Sequence, residues 1–298
     1  LELGAGSGAL AKSMLIAFDE MGILPNRYLI LEPSASLQNL QKEQLAAQLP
    51  EALFALLEWV TELPQHIVGV IIANEVIDAL PVEVIRIYPN NSEQAFVVWS
   101  EEKQQFDWDW QTLIDPELQR IANQLHNYLG THLSDTGYTT EVSPFLLPWL
   151  TSLADSLAQG SILLLDYGYS RKEYWSPQRR MGTLRAYYRQ RVHQDVFWQV
   201  GLQDLTTSVD FTSVAEAGHR AGLTLAGFTT QANFLLSLGL LDLVDPQADV
   251  VTQLKIAQQI KTLTLPDEMG ETFKAMAFLK GVEGALTGFS MRDLRFQL

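Results

Sequence analysis

The sequence contains no cysteine in its 298 residues. That excludes disulfides, a thiolate nucleophile and cysteine metal sites, and it leaves the redox compartment unread. Histidine is scarce too. The five that occur are scattered, and none has the H-E-x-x-H spacing of a metal-binding helix, so no metal is expected. No uninterrupted apolar run approaches the roughly 18 residues a membrane helix needs. Residues 234–244 come closest, and Asp242 interrupts them. Positive charge is in deficit, with 20 Lys and Arg against 35 Asp and Glu, a formal balance of −15. Such a surface repels nucleic acid phosphates and favours basic partners. The expectations are therefore no nucleic acid and no membrane span. Internal repeats and low-complexity tracts are missing as well. What remains is 47% apolar and 18% charged, the composition of a globular chain able to bury a large core as one elaborated domain, 1–298. Leu1 falls inside a strand and is not methionine, so the chain is read as missing its N-terminus, and no targeting peptide can be judged.

The first eight residues, Leu1-Glu2-Leu3-Gly4-Ala5-Gly6-Ser7-Gly8, carry most of the information. Glycine at every second position removes side chains where a ligand must approach the backbone. Glu2 and Leu3 read as the end of a buried strand, and residues 9–21 as a helix. Strand, glycine turn and helix open a doubly wound α/β nucleotide site. Twenty-four residues beyond Gly8, the apolar strand 28–31 ends in Glu32, a carboxylate able to accept both hydroxyl protons of a ribose. Two cofactors compete. Gly4-x-Gly6-x-x-Ala9 satisfies a dinucleotide fingerprint. Glu2, however, would repel a pyrophosphate and attract the ammonium of a methionine moiety. The balance leans towards S-adenosylmethionine, with Glu2, Gly4, Gly6, Gly8, Glu32 and Asn74 as the cofactor-binding set.

Further along, Ser34 is a plausible cap for a helix over 35–49, and 52–60 holds a third strand with a short helix as competitor. Residues 67–73 are apolar on both faces and read as a buried strand ending in Asn74-Glu75-Val76-Ile77-Asp78. Carboxyl ends of strands carry the site in open α/β sheets, which places Asn74, Glu75 and Asp78 at the ligand face. Residues 84–136 read as an insertion with a hairpin and a helix. A helix over 144–158 is expected to end at Gly160, followed by a strand over 162–165 that ends in Asp166. Residues 171–205 lack sustained periodicity, are rich in Arg, Tyr and Trp, and read as a lid. The segment 232–264 reads as a helical elaboration broken near Pro246, and 273–279 as a last strand.

Several stretches together resemble the MidA-like S-adenosylmethionine-dependent methyltransferases. They are Glu2-Leu-Gly-Ala-Gly-Ser-Gly8, Leu31-Glu-Pro33, Ala73-Asn-Glu-Val-Ile-Asp-Ala-Leu-Pro-Val82 and Glu141-Val-Ser-Pro144, then Asp166-Tyr-Gly168, Gly182-Thr-Leu-Arg-Ala-Tyr187, Asp204-Leu-Thr206, Val209-Asp-Phe211 and Gln231-Ala-Asn-Phe-Leu235. The resemblance implies a class I methyltransferase sheet of about seven strands, Rossmann-like, with the last strand antiparallel between its neighbours. It implies methylation of an arginine side chain of a protein, since the family's mitochondrial member is a complex I assembly factor that methylates a complex I subunit. A respiratory complex I subunit is thus one implied partner, and a homodimer is a further expectation. The implied location is cytoplasmic for a bacterial member and the mitochondrial matrix for a eukaryotic one. The sequence departs from the family at Gln190 and Ser208, where members often carry histidine.

Glu75 and Asp78 are the candidate catalytic acids, to orient a guanidinium, and His193 the candidate proton acceptor. Both acids could instead only fix the turn, and His193 could be a surface residue. Arg185 and Tyr187 could touch substrate or brace the lid, and Trp59 could lie against adenine or pack in the core. Beside the arginine methyltransferase stand a catalytically silent assembly factor of the same fold and an NAD-dependent oxidoreductase. The last is weakened by the absence of a recognisable dehydrogenase acid–base pair.

Overall fold

The computed structural model describes residues 1–189 and 191–298, so Gln190 lies outside the described residues. The chain runs β1 (Glu2–Leu3), α1 (Ala9–Glu20), β2 (Tyr28–Leu31), α2 (Ala35–Gln48), α3 (Glu51–Phe54), β3 (Leu57–Val60) and β4 (Ile67–Asn74). Next come β5 (Glu83–Ile87), β6 (Ser92–Ser100), β7 (Gln105–Thr112), α4 (Pro116–Leu129) and β8 (Tyr138–Val142). They are followed by α5 (Leu146–Ser156), β9 (Leu157–Tyr169), α6 (Arg171–Tyr174), β10 (Arg185–Tyr188), β11 (Arg191–His193), β12 (Asp204–Thr206) and β13 (Val209–Asp210). Last are α7 (Phe211–Arg220), β14 (Thr224–Thr230), α8 (Gln231–Ser237), α9 (Val250–Thr264) and β15 (Phe273–Lys280). The contacts of the chain divide into two units. One comprises residues 1–76, 149–167 and 215–297, and the other comprises 77–148, 168–214 and 298.

The first unit is built on a sheet in the order β3-β2-β1-β4-β9-β15-β14. Its strands run parallel from β3 to β9, and β15 lies antiparallel to both β9 and β14. This is the doubly wound sheet with an antiparallel last strand that the resemblance implies. Ala11 and Leu15 of α1 and Leu45 of α2 recur at helical spacing and bury against Tyr28, Ile30 and Leu57. Each fully buried leucine contributes roughly 1.5–3 kcal/mol, and Leu15→Ala should cost roughly 2–5 kcal/mol. Ser34 does cap α2, its Oγ accepting the Leu37 N–H at 3.4 Å. The competition over 52–60 resolves as both answers in turn, α3 and then β3.

Two expectations fail here. β4 is apolar as far as Ala73, but only residues 71–73 are buried, with Val68 73% and Val70 52% exposed. β1 pairs with β4 at Ile72 and Ala73, and the Leu1 amino group donates to the Val70 carbonyl at 2.8 Å. Gly160 does not end a helix. β9 has already begun at Leu157, and Gly160 sits within it opposite Gly69 of β4, so close that an added Cβ would overlap the Gly69 carbonyl.

The second unit contains a four-stranded antiparallel sheet, β7-β6-β5-β8. The expected hairpin is β5–β6, and β7 continues it, where Trp108 and Trp110 alternate with Asp107 and Asp109. Ile85 and Ile87 bury against Leu118, Ala122, Leu125 and Leu129 of α4, whose N-terminus is capped by the Asp115 carboxylate. Residues 171–205 are not structureless. They form α6 and a three-stranded antiparallel sheet, β11-β10-β12. Strands of three and four residues are too short to print an alternation that a sequence window can detect. β13 pairs in parallel with Gly168 and Tyr169, the last two residues of β9. Among the described residues, no helix is long and apolar enough to cross a membrane.

Candidate active site

The register of the sheet decides what meets at its carboxyl edge. Leu3 pairs with Leu31 on one side and Ala73 on the other, and Asn74 pairs with Leu165. Gly4 and Glu32, which follow β1 and β2, therefore stand level with Asn74, the last residue of β4, and Glu75 lies one step further on. Asp166 does not end its strand as expected, because β9 runs on to Tyr169 and holds Asp166 paired with Lys274 of β15. Glu75 keeps one sheet bond, its N–H donating to the Leu165 carbonyl at 2.9 Å.

The glycine loop has the backbone its composition promises. Gly4, Gly6 and Gly8 all have positive φ, at 64°, 54° and 80°. Their surroundings differ. A Cβ on Gly6 would meet nothing within 4 Å, whereas one on Gly8 would come within 2.9 Å of Leu45 Cδ1. Gly6 thus leaves open ground above the backbone, and Gly8 lets the start of α1 close on α2. Glu2 points inward, 3% exposed, and its carboxylate accepts the Tyr28 hydroxyl at 2.7 Å. Burial raises the Glu2 carboxyl above its ordinary value, and the Tyr28 hydrogen bond pulls the other way. Burial beside this acid pushes the Tyr28 phenol up as well.

Glu32 is 6% exposed. One of its oxygens accepts the Ser34 N–H at 2.9 Å, the other the amide of Gln41 at 3.4 Å. The sequence reading passed over Gln41. Its signal was a polar side chain four residues before Leu45, on the buried stripe of α2. Trp59 lies on β3 with its indole N–H donating to Gln41 Oε1 at 2.9 Å and its ring tilted against Phe54.

Asn74 and Glu75 are both exposed, and Asn74 Nδ2 reaches Glu75 Oε1 at 3.5 Å. Glu75 has φ 52°, the left-handed region that a non-glycine residue rarely occupies. Asp166 is fully buried, with its carboxylate accepting the Tyr167 N–H at 2.9 Å.

In the second unit, Asp78 is buried and its carbonyl accepts the Thr207 N–H at 3.1 Å. His193 is half-buried on β11, edge-on to Trp198 at 5.3 Å, and its Nε2 has no hydrogen-bond partner among the described residues. Arg185 and Tyr187 are exposed on β10. Ser208 uses its backbone, donating to Thr183 Oγ1 at 3.1 Å. The sequence reading also missed a clamp. Glu141 accepts from the Thr183 N–H and hydroxyl, the Leu184 N–H and the Tyr174 hydroxyl. Two of the quoted stretches, Glu141–Pro144 and Gly182–Tyr187, are thereby joined.

Residues 1–229 match the family model described as "Putative S-adenosyl-L-methionine-dependent methyltransferase". The chain belongs to this methyltransferase family. A relative from Burkholderia thailandensis solved bound to S-adenosyl-homocysteine is 35% identical to the methyltransferase, with a TM-score of 0.91 over 100% of this chain and 75% of that one. A native structure of an uncharacterised protein from the same organism gives the same identity and TM-score and is covered to 78%. Among curated proteins, the mitochondrial protein arginine methyltransferase NDUFAF7 of Xenopus laevis is 25% identical over 92% of this chain. The methyltransferase spans 65% of the length of that relative. The nicotinamide alternative left open by the glycine spacing falls with this membership, and the MidA-like resemblance stands.

S-adenosylmethionine is the cofactor of the family, and the first unit fits it: open ground over Gly6 and a fixed carboxylate at the end of β2. When bound, it supplies an electrophilic methyl group on a cationic sulfonium. Gly4 and Gly6 would let it approach the backbone and Glu32 would accept from its ribose, while Glu2 is turned inward onto Tyr28 and Gly8 onto Leu45.

Proposed function

We propose that this methyltransferase modifies an arginine side chain of a protein substrate, with a subunit of a respiratory complex I as one candidate. The observation that carries the reading is Glu75, an exposed acid held in left-handed backbone at the carboxyl end of the central strand β4. Non-glycine residues in that region cost free energy and cluster at functional sites. The curated relative, named as a protein arginine methyltransferase, points to the same substrate.

An arginine side chain is protonated at physiological pH, yet one nitrogen must present a lone pair to an electrophile. A carboxylate can hold a guanidinium through two parallel charge-assisted hydrogen bonds. That contact draws the positive charge towards the nitrogens that do not react. Glu75 takes this role in the proposal; Asp78 and His193, which belong to the second unit, are the sequence's further candidates for holding a guanidinium and accepting a proton. The balance of 35 acids against 20 bases concentrates a cationic target near the protein.

The test is methyl transfer from labelled S-adenosylmethionine to arginine-bearing proteins, with the modified residue identified by mass spectrometry. Glu75→Gln keeps the shape and removes the charge. It should bind S-adenosylhomocysteine normally and lose roughly 10- to 100-fold in rate, the scale of a charged hydrogen bond. A wild-type rate for the variant removes Glu75 from the role. Label on lysine, or on no protein at all, overturns the arginine reading, and the second outcome favours the silent assembly factor.

A further inference from the structure

Gln41 is completely buried on α2, and both ends of its amide are committed. Nε2 donates to the Gly6 carbonyl at 2.9 Å and to Glu32 Oε2 at 3.4 Å, while Oε1 accepts the Trp59 indole N–H at 2.9 Å. An indole N–H only donates, so it fixes which end of the amide is oxygen. The NH2 group must then face Gly6 and Glu32. One side chain ties the loop after β1, the acid after β2 and the tryptophan of β3 into a single hydrogen-bonded group.

We infer that Gln41 is a positioning residue for the cofactor site. It acts through two groups at once. By holding the Gly6 carbonyl, it fixes the peptide plane and with it the open face of the loop. By donating to one oxygen of Glu32, while the Ser34 N–H holds the other, it sets the direction of the remaining lone pairs towards a ribose. Trp59 keeps the amide from turning over. The inference rests on the assignment of Gly6 and Glu32 to the cofactor.

Any buried amide needs partners, so a loss of stability alone would not separate positioning from packing. Gln41→Glu does separate them. It sets a second carboxyl against Glu32, and two carboxyls at that distance share one proton. In acid the shared proton restores a donor to Glu32, while the Gly6 carbonyl goes without the second N–H that the amide supplied. In base both carboxylates ionise and Glu32 is pushed from its place. A charged group beside this cluster is Lys42, whose Nζ stands 5.2 Å from the centre of the Trp59 ring.

The experiment is calorimetric binding of S-adenosylhomocysteine to the intact chain across pH. Gln41→Glu should bind roughly tenfold or more weakly near about pH 8 than near about pH 5, beyond any change in the wild type. A variant profile parallel to the wild type overturns the inference. Should Gln41→Glu fail to fold, Gln41→Met takes its place in a double-mutant cycle with Glu32→Ala. Positioning requires the cost of Gln41→Met to shrink when Glu32 is absent, and strict additivity overturns it. Glu32→Ala alone tests the assignment beneath. If it leaves affinity unchanged, the cofactor reading of Glu32 is wrong whatever Gln41 does.

Discussion

Glu141 accepts the Thr183 N–H on both of its carboxylate oxygens, at 3.0 and 2.9 Å. The two residues are 42 positions apart, and the same carboxylate also holds Leu184 N–H and the hydroxyls of Thr183 and Tyr174. Glu141→Gln keeps the volume but turns one acceptor into a donor facing N–H groups. Hydrogen bonds to a charged group contribute roughly 1.5–3 kcal/mol each, and a loss of about 3 kcal/mol is expected in urea unfolding. Proteolytic cleavage within 171–205 should accelerate. Unchanged cleavage and unchanged stability would show that Glu141 does not hold this segment.

The loop glycines separate into two classes. A Cβ added at Gly6 meets no neighbour within 4 Å, so the first cost of Gly6→Val is the left-handed backbone, roughly 1–2 kcal/mol, while the added side chain occupies the cofactor's approach. A folded protein without S-adenosylhomocysteine affinity is expected. Gly8→Val adds a clash with Leu45, 2.9 Å from the first added carbon, and should melt at a lower temperature than Gly6→Val. The two melting curves and one titration check this. Equal melting temperatures would remove the distinction.

Glu2 gives a pH signature. Burial raises its folded carboxyl value, so the folded state keeps the proton to higher pH than the unfolded chain does. The contribution to stability is most favourable below the ordinary carboxylate range and declines as pH rises from the unfolded to the folded value. Glu2→Gln retains an acceptor for Tyr28 and removes the titration. Its stability relative to the wild type should rise with pH across that window and then level off. A constant difference between the two denaturation series would mean that Glu2 is not the group titrating.

Asp210 tests whether the Val209-Asp-Phe211 stretch is structural. Its carboxylate accepts the Thr212 and Ser213 N–H groups at 3.0 and 3.3 Å at the start of α7, and pairs with Arg171 at 3.3 Å. Burial raises its carboxyl despite the arginine. Asp210→Ala removes both a cap and a buried partner, for an expected loss of roughly 3–5 kcal/mol. Asp210→Asn keeps cap acceptors and should lose less. Matching losses for the two variants would assign the cost to the ion pair and leave the cap without a measurable share.

The sequence made the large sheet legible because its signals are local. An apolar strand, a glycine turn and a helix declare themselves within twenty residues, and Glu32 follows from where the next strand ends. Gln41 was harder, because a buried glutamine resembles a surface one until its partners on β1, β2 and β3 are brought to it. Glu141 was read only as part of a motif, since nothing near it in the chain announces Thr183. Gly160 misled in the opposite direction. A glycine after a helix is usually a stop signal, and only the facing strand reveals the close approach.

That facing pair bears on how a mutational scan of this protein is to be read. Alanine at 160 collides with the Gly69 carbonyl, whereas alanine at 69 meets nothing within 4 Å and is opposed only by its backbone angle. Position 160 would therefore score among the least tolerant in the chain, beside the glycines of the loop after β1. Its intolerance comes from the spacing of two strands, not from any ligand, so a map of forbidden substitutions in this fold outlines the weave of the sheet as much as the place where methyl groups move.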